Sequence, residues 1–358
     1  MHKTWRISAW IGGIYALLVL GITVYLGYNR PVVIAEASSG PGIRQETATN
    51  MTVVSEKAEI SLQKDATGER SVYIPVEPSI LPEQILIQDY YANKCLVISL
   101  QNTGKDFYKD KAISGNTDTI EKAVFVPGEE KTDIWLQLDR VYAYDSYLEN
   151  GYLKMDFYLP KEKNDRILVL DVILPDEVTT EMAAEVTAEE ETLLYQMENK
   201  LESVLEESGI KAYHTYGKDG RISEEEIGEL ITLVDADLYV GISLSTDSDN
   251  SESFRSLVAY KGDYFMPALT NAAFADLIER KMVTAISGKA GGLLQAQESV
   301  WEDFQIPSVI VYPGYRSNPT EMSLMKQESY QRKIAEGIAE GIVDSYTKIE
   351  DAKGSPEG

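Results

Sequence analysis

The chain has very few histidines and cysteines. Its 358 residues include two histidines, His2 and His214, and one cysteine, Cys95. A single cysteine excludes an intrachain disulfide and a cysteine-ligated zinc cluster. Two histidines, one of them at the extreme N-terminus, are too few for the imidazole-rich sites in which hydrolytic enzymes hold zinc.

Positive charge is also scarce. Lys and Arg total 33 against 58 Asp and Glu, which gives a formal net charge of −25. Nucleic-acid binding depends on basic patches that pair with phosphates, so we expect no nucleic-acid partner. The same balance disfavours contact of the folded domains with anionic lipid headgroups.

One long uncharged run lies near the N-terminus. Residues 7–28, ISAWIGGIYALLVLGITVYLGY, follow Lys3 and Arg6 and reach the roughly 20 residues that a membrane-spanning helix needs. The positive charges predict a single-pass cell-membrane protein with its N-terminus inside and its other domains extracytoplasmic. The alternative is a cleaved signal peptide, for which AEA at 35–37 is a cleavage motif.

Changes in periodicity divide the rest of the chain. Short strands with alternating apolar residues, such as Ile134, Leu136 and Leu138, predict a small all-β sandwich. Further on, continuous apolar strands alternate with helical stripes, which predicts an α/β domain whose mostly parallel sheet is flanked by helices. The predicted segments are a cytoplasmic tip 1–6, a transmembrane anchor 7–28, a flexible stalk 29–69, a β-rich domain 70–165, an α/β domain 166–347 and a disordered tail 348–358.

Four stretches of the α/β domain carry a family resemblance. They are LVLDVILPDE at 168–177, the long segment EEETLLYQ…KAYHT at 189–215, DADLYVGISLSTDS at 235–248 and GYRSNP at 314–319. In this order they resemble the zinc-dependent N-acetylmuramoyl-L-alanine amidases, which cleave the bond between muramic acid and the peptide of peptidoglycan. The β-rich domain, chiefly residues 135–159, resembles the AMIN module that often precedes such amidases and localises them on the cell wall.

The resemblance implies a degenerate catalytic site. The family's zinc has His, Glu and His ligands, and a glutamate is the catalytic base. Leu174 and Ser243 align with the two histidines, Tyr312 aligns with the base, and Glu190 remains at the position of the glutamate ligand. A phenol is a poor base at neutral pH, so we predict no catalytic residue, no metal ligand and no cofactor. The residues predicted to line the old groove are Asp171, Asp176, Glu190, Ser243, Ser245, Tyr312 and Arg316.

Two of these features also have a structural interpretation. Acidic residues such as Glu189–Glu191 are favoured in the first turn of a helix by its dipole. His214 lies in an apolar strand, which favours a structural or surface histidine over a catalytic one.

We therefore predict a membrane-anchored, amidase-like protein that is catalytically inactive and binds peptidoglycan or regulates a cell-wall enzyme. One alternative is an active peptidoglycan amidase whose relocated zinc site draws on Glu190, His214 and Asp171 or Asp176. Zinc is a cofactor under that alternative alone. Another alternative is a structural envelope protein whose β-rich domain docks other proteins.

Overall fold

The computed structural model describes residues 32–33, 57–64, 69–174, 181–217, 220–245, 254–262, 269–296 and 304–354. Within these residues a β-rich region precedes an α/β domain. The second domain holds the stretches that resemble amidases, and the ends of its strands position the candidate site.

The β-rich region contains two sheets. Its strands are β1 Val32–Val33, β2 Ala58–Glu59, β3 Ser61–Lys64, β4 Ser71–Pro75, β5 Ile85–Tyr90, β6 Cys95–Gln101, β7 Ala112–Gly115, β8 Ile120–Pro127, β9 Lys131–Leu138, β10 Ala143–Glu149 and β11 Tyr152–Tyr158. Among the described residues one sheet has the order β1-β10-β11-β4-β7-β3 and the other the order β2-β8-β9-β6-β5. Strands β2 and β3 precede residue 70, where composition alone places the start of this domain.

Alternation along the strands explains the core of the β-rich region. In β9 every second residue is buried, so Ile134, Leu136 and Leu138 face inward while their neighbours are partly exposed. Side chains from both sheets, for example Ile74 of β4 and Leu96 of β6, meet in one hydrophobic core. The predicted alternation is therefore confirmed at these positions.

The α/β domain follows a short helix. Its elements are α1 Pro160–Lys163, β12 Ile167–Val172, α2 Glu181–Glu207, β13 Lys211–His214, β14 Tyr216–Gly217, β15 Gly220–Arg221, α3 Glu224–Val234, β16 Leu238–Ile242, β17 Ser256–Lys261, α4 Asn271–Ile286, β18 Ala290–Ala296, β19 Ser308–Tyr312, α5 Pro319–Met325 and α6 Glu328–Gly354. In the described residues the main sheet has the order β13-β12-β16-β19-β17-β18, and β14 and β15 form a separate hairpin. Helix α6 runs through most of 348–358, the segment that composition assigns to a tail.

The main sheet is mixed, which corrects the prediction of a mostly parallel sheet. Strand β17 lies antiparallel to β19, whereas the other pairings of this sheet are parallel. No helix occurs between β16 and β17 in the part of that connection that the structure describes. Parallel strands need a long crossover, usually a helix, so a connection without one favours reversal of the chain direction.

Two cores cover the faces of this sheet. Helices α2, α4 and α6 pack on one face together with Leu168 and Leu170 of β12. Helix α3 covers the other face beside Val169. Tyr91 of the β-rich region joins this second core, and its hydroxyl accepts a hydrogen bond from Lys211 Nζ at 2.9 Å. The two domains therefore share apolar and polar contacts.

The single-pass membrane assignment is corrected. No helix within the described ranges is long and apolar enough to cross a bilayer. Residues 7–28, on which the prediction of a transmembrane helix rests, and the cleavage motif at 35–37 lie outside the described residues.

Candidate functional site

A cleft of about 640 Å³ lies at one edge of the mixed sheet. Three residues that the sequence resemblance predicts for the amidase site line it: Leu174 just after β12, Ser243 just after β16, and Tyr312 at the end of β19. These three strands are parallel neighbours. Their carboxyl ends therefore meet at the same edge, which is where α/β proteins place their binding sites.

The three aligned side chains offer poor chemistry for metal-assisted hydrolysis. Leu174 has no donor atom and packs against the hydrophobic core. The Ser243 hydroxyl donates a hydrogen bond to the carbonyl oxygen of Ile173 at 2.8 Å. Burial raises the pKa of Tyr312 above that of an ordinary phenol, which makes it a still weaker source of a base at neutral pH.

The fourth aligned residue, Glu190, forms a buried ion pair beside the cleft. Arg316 Nε donates to Glu190 Oε1 at 2.8 Å, and the Glu190 side chain is only 3% exposed. The other carboxylate oxygen, Oε2, is buried without a hydrogen-bond partner in the described part of the chain. Glu190 lies well inside α2, which begins at Glu181, so the interpretation of a first-turn acidic residue is wrong.

Backbone hydrogen bonds fix Arg316 next to the cleft. Ser245, which lines the cleft, receives a hydrogen bond at its carbonyl oxygen from the Arg316 N–H at 2.9 Å. The Ser245 N–H in turn donates to the carbonyl oxygen of Gly314 at 3.0 Å. The predicted groove residues Ser243, Ser245 and Tyr312 therefore line one cleft, while Glu190 and Arg316 pair directly beside it.

The opposite wall of the cleft is not identified by sequence reasoning. It includes Arg255, whose Nε lies 3.3 Å from the Tyr315 hydroxyl, and the exposed Leu293 and Leu294 of β18. GKAGG at 288–292 reads as a flexible turn in the sequence, yet β18 begins inside it. The sequence signal that could have identified β18 is the pair of leucines directly after the glycines.

Helix α5 supports this wall. Asn318 caps the helix by accepting hydrogen bonds from the N–H groups of Thr320 and Glu321, as GYRSNP followed by Thr-Glu predicts. Glutamate three residues after Asn318 also predicts a reciprocal capping box, which is wrong, because the Glu321 carboxylate accepts the N–H of Tyr315 and not that of Asn318. Burial raises the pKa of Glu321 to about 7.

Asp171 belongs to a separate buried network. Arg221 binds its carboxylate with two hydrogen bonds of 2.8 and 2.6 Å, and Thr215 and Tyr239 donate to it through their hydroxyls. The Asp171 side chain is completely buried and does not contribute to the lining of the cleft. Its role in the described structure is to bind the β14–β15 hairpin to the sheet.

His214 lies between two carboxylates of α2. Its Nδ1 is 2.9 Å from Glu198 Oε1 and its Nε2 is 2.9 Å from Glu202 Oε1, and all three side chains are buried. Burial alone would lower the pKa of His214, but the charges of Glu202 and Glu198 outweigh it and raise the pKa to about 10. Because each ring nitrogen faces a carboxylate, the imidazole holds α2 against β13 and presents no nitrogen to the cleft.

The residues present do not fit the family's zinc ion. In the described residues no group of three or more His, Cys, Asp and Glu side chains is placed to hold a metal. Glu190, His214 and Asp171, which a relocated zinc site would need, lie in three different networks. Asp176 lies outside the described residues.

The sequence of the α/β domain is similar to that of known amidases. The family model of N-acetylmuramoyl-L-alanine amidase matches residues 179–344, so the α/β domain is amidase-like. The uncharacterised protein YqiI of Bacillus subtilis (strain 168) is 25% identical over 142 residues. That match covers 40% of this chain and 66% of the length of YqiI.

Solved amidase structures are also similar. The catalytic domain of the amidase CwlV from Bacillus (Paenibacillus) polymyxa var. colistinus is 21% identical, with a TM-score of 0.44, over 51% of this chain and 98% of that one. An N-acetylmuramoyl-L-alanine amidase from Clostridium difficile 630 is 19% identical, with a TM-score of 0.45, over 53% of this chain and 98% of that one.

Proposed function

We propose that this protein is a non-catalytic member of the amidase family that binds peptidoglycan in the cleft without hydrolysing it. The observation that supports this most directly is the composition of the cleft. Leu174, Ser243 and Tyr312 lie together where the family resemblance places two zinc ligands and the base. In this proposal the scaffold is retained, whereas the donors that would activate water are replaced.

The lining of the cleft supports a function in binding peptidoglycan. Tyr312 and Tyr315 contribute phenol rings, Arg255 contributes a cation, and Leu293 and Leu294 add exposed apolar surface. A mixture of apolar and aromatic surface with few polar groups is typical of ligand pockets. Peptidoglycan supplies sugars, apolar methyl groups and carboxylates that such a lining can contact. We further propose that the β-rich domain has the wall-localising role of the AMIN module that it resembles.

Co-sedimentation with purified sacculi tests the binding. Leu294 lies in the cleft and is 55% exposed, whereas Leu233 lies on α3, away from the cleft, and is 41% exposed. We expect the full chain and Leu233→Asp to sediment with sacculi, and Leu294→Asp to bind about tenfold more weakly, a loss of about 1.4 kcal/mol. Equal binding by both variants would exclude the cleft as the binding site.

The exposed leucines favour a second candidate, which is docking of a cell-wall protein in place of glycan. Leu293 and Leu294 lie side by side on β18, at the edge of the sheet. Exposed apolar surface beside a groove often marks a protein-binding site. Absence of the full chain from pelleted sacculi, combined with saturable binding to a purified wall enzyme that Leu294→Asp abolishes, would favour this candidate.

A further inference from the structure

We propose that the Arg316 guanidinium takes the place of the metal ion as the permanent counter-charge of Glu190 and thereby closes the family's metal site. The inference concerns the same cleft as the proposed function. The two can fail separately, because the tests below measure zinc uptake and stability in the absence of peptidoglycan.

Glu190 needs a cation at its buried carboxylate. Its carboxylate is buried, and an unpaired buried charge is strongly destabilising. In a metal site the ion itself satisfies such a ligand. Here Arg316 Nε supplies the positive charge at 2.8 Å, and an arginine side chain stays charged at any pH at which proteins fold.

The backbone of Arg316 is held in place independently of Glu190. Its backbone N–H donates to the carbonyl oxygen of Ser245, and the adjacent Tyr315 forms an isolated parallel β-bridge with the same serine. Glu190 comes from α2, on the other side of this contact. The ion pair therefore ties α2 to the segment that follows β19, as a metal bound by ligands from several elements would do.

The charge of Arg316 disfavours binding of a metal ion at Glu190. A divalent cation that approached Glu190 would meet the fixed charge of Arg316, and like charges repel strongly in a buried site. Leu174 and Ser243 add no compensating ligand, since one lacks a donor atom and the hydroxyl of the other is engaged by Ile173. Histidines at positions 174 and 243 are therefore insufficient for zinc binding while Arg316 remains.

Zinc uptake by the full chain tests this directly, with zinc alone as the probe. We expect the double variant L174H/S243H to retain no zinc after equilibrium dialysis, and the triple variant L174H/S243H/R316A to retain it stoichiometrically. Equal zinc content in the folded double and triple variants, whether both retain the ion or neither does, would overturn the proposal.

A double-mutant cycle measured by thermal stability provides a second test, and it introduces no new metal ligands. We expect Arg316→Gln to lower Tm by several degrees in the native background and much less in the Glu190→Gln background, because the unpaired charge is then absent. The matched control is the exposed pair Lys326–Glu189, which joins α2 to the residue that follows α5. Lys326→Gln and Glu189→Gln should be additive, as is usual for surface pairs. Additive losses at Glu190 and Arg316 as well would contradict the proposal.

Discussion

The carboxylate of Glu321 accepts a hydrogen bond from the backbone N–H of Tyr315 at 2.6 Å. It also accepts the backbone N–H of Arg255. Tyr315 lies between β19 and α5, Arg255 directly precedes β17, and both line the cleft. One buried carboxylate of α5 therefore joins two segments that line the candidate site.

This arrangement predicts a pH dependence of stability. Burial raises the pKa of Glu321 from 4.5 to about 7, so the folded chain binds more protons than the unfolded chain between these values. The free energy of unfolding should consequently decrease as the pH rises through this window. Glu321→Gln should remove that component, which urea unfolding at about pH 5 and about pH 8 can measure. An unchanged pH slope in the variant would show that Glu321 titrates normally.

His214 predicts a second pH dependence at higher pH. Its pKa is about 10 in the folded chain and 6.5 as the reference value. The stabilisation by its charge is therefore complete below pH 6.5 and is lost as the pH rises toward 10. His214→Gln should cost about 3–5 kcal/mol, because it leaves two carboxylates without their cation.

A charge-relieved variant provides the control for His214. Adding Glu202→Gln and Glu198→Gln to His214→Gln should recover much of the lost stability, since the buried charges disappear together. Chemical denaturation checks both variants. If His214→Gln alone were as stable as the native chain, the buried imidazolium would have no structural role.

The Asp171 network predicts a loss of stability without a loss of binding. Asp171→Asn removes the charge that pairs with Arg221 and should cost about 3 kcal/mol. Asp276→Asn, which breaks the exposed pair with Arg280 on α4, should cost less than about 1 kcal/mol. Sacculus binding of the folded Asp171→Asn variant should match that of the native chain. Weaker binding at equal folded fraction would bring Asp171 into the site.

The close packing of α4 and α6 predicts intolerance of side chains at two glycines. A Cβ at Gly337 would lie 2.5 Å from the Met282 Cα, and one at Gly341 would lie 2.6 Å from the Ile278 Cα. Gly337→Ala should therefore destabilise the domain by about 1–3 kcal/mol, although alanine favours helices. Glu336→Ala, at an exposed position of the same helix, is the control and should change little. A stabilised Gly337→Ala would mean that the helices separate easily.

The α/β domain was predictable because its signals are local. The apolar run of β12 and the helix start at Asn318 follow from residue type and spacing alone. The reversal of β17 was not predictable, because the direction of a strand depends on connections and partners that no single segment encodes. Strand β18 looks like a turn in the sequence because Gly291 and Gly292 suggest flexibility, and its pairing with β17 is not visible in the segment itself.

Within the candidate site, the family resemblance found the strand-end residues but not the ion pairs around them. Leu174, Ser243 and Tyr312 each lie at the carboxyl end of an apolar core strand, so their convergence could be inferred. The pairing of Glu190 with Arg316 joins residues far apart in the sequence, and no local pattern predicts a long-range ion pair. The engagement of His214 by Glu198 and Glu202 was similarly hidden, although their spacing on α2 places both carboxylates on one helix face.

The most direct test of the account is digestion of purified sacculi by the purified full chain, in the presence of zinc and after treatment with a chelator. Soluble peptide and glycan fragments are measured, and an active amidase of the family serves as the positive control. We predict that the chain sediments with the sacculi and releases no more fragments than buffer under either condition. Release of free stem peptides that requires zinc and stops with the chelator would contradict the account.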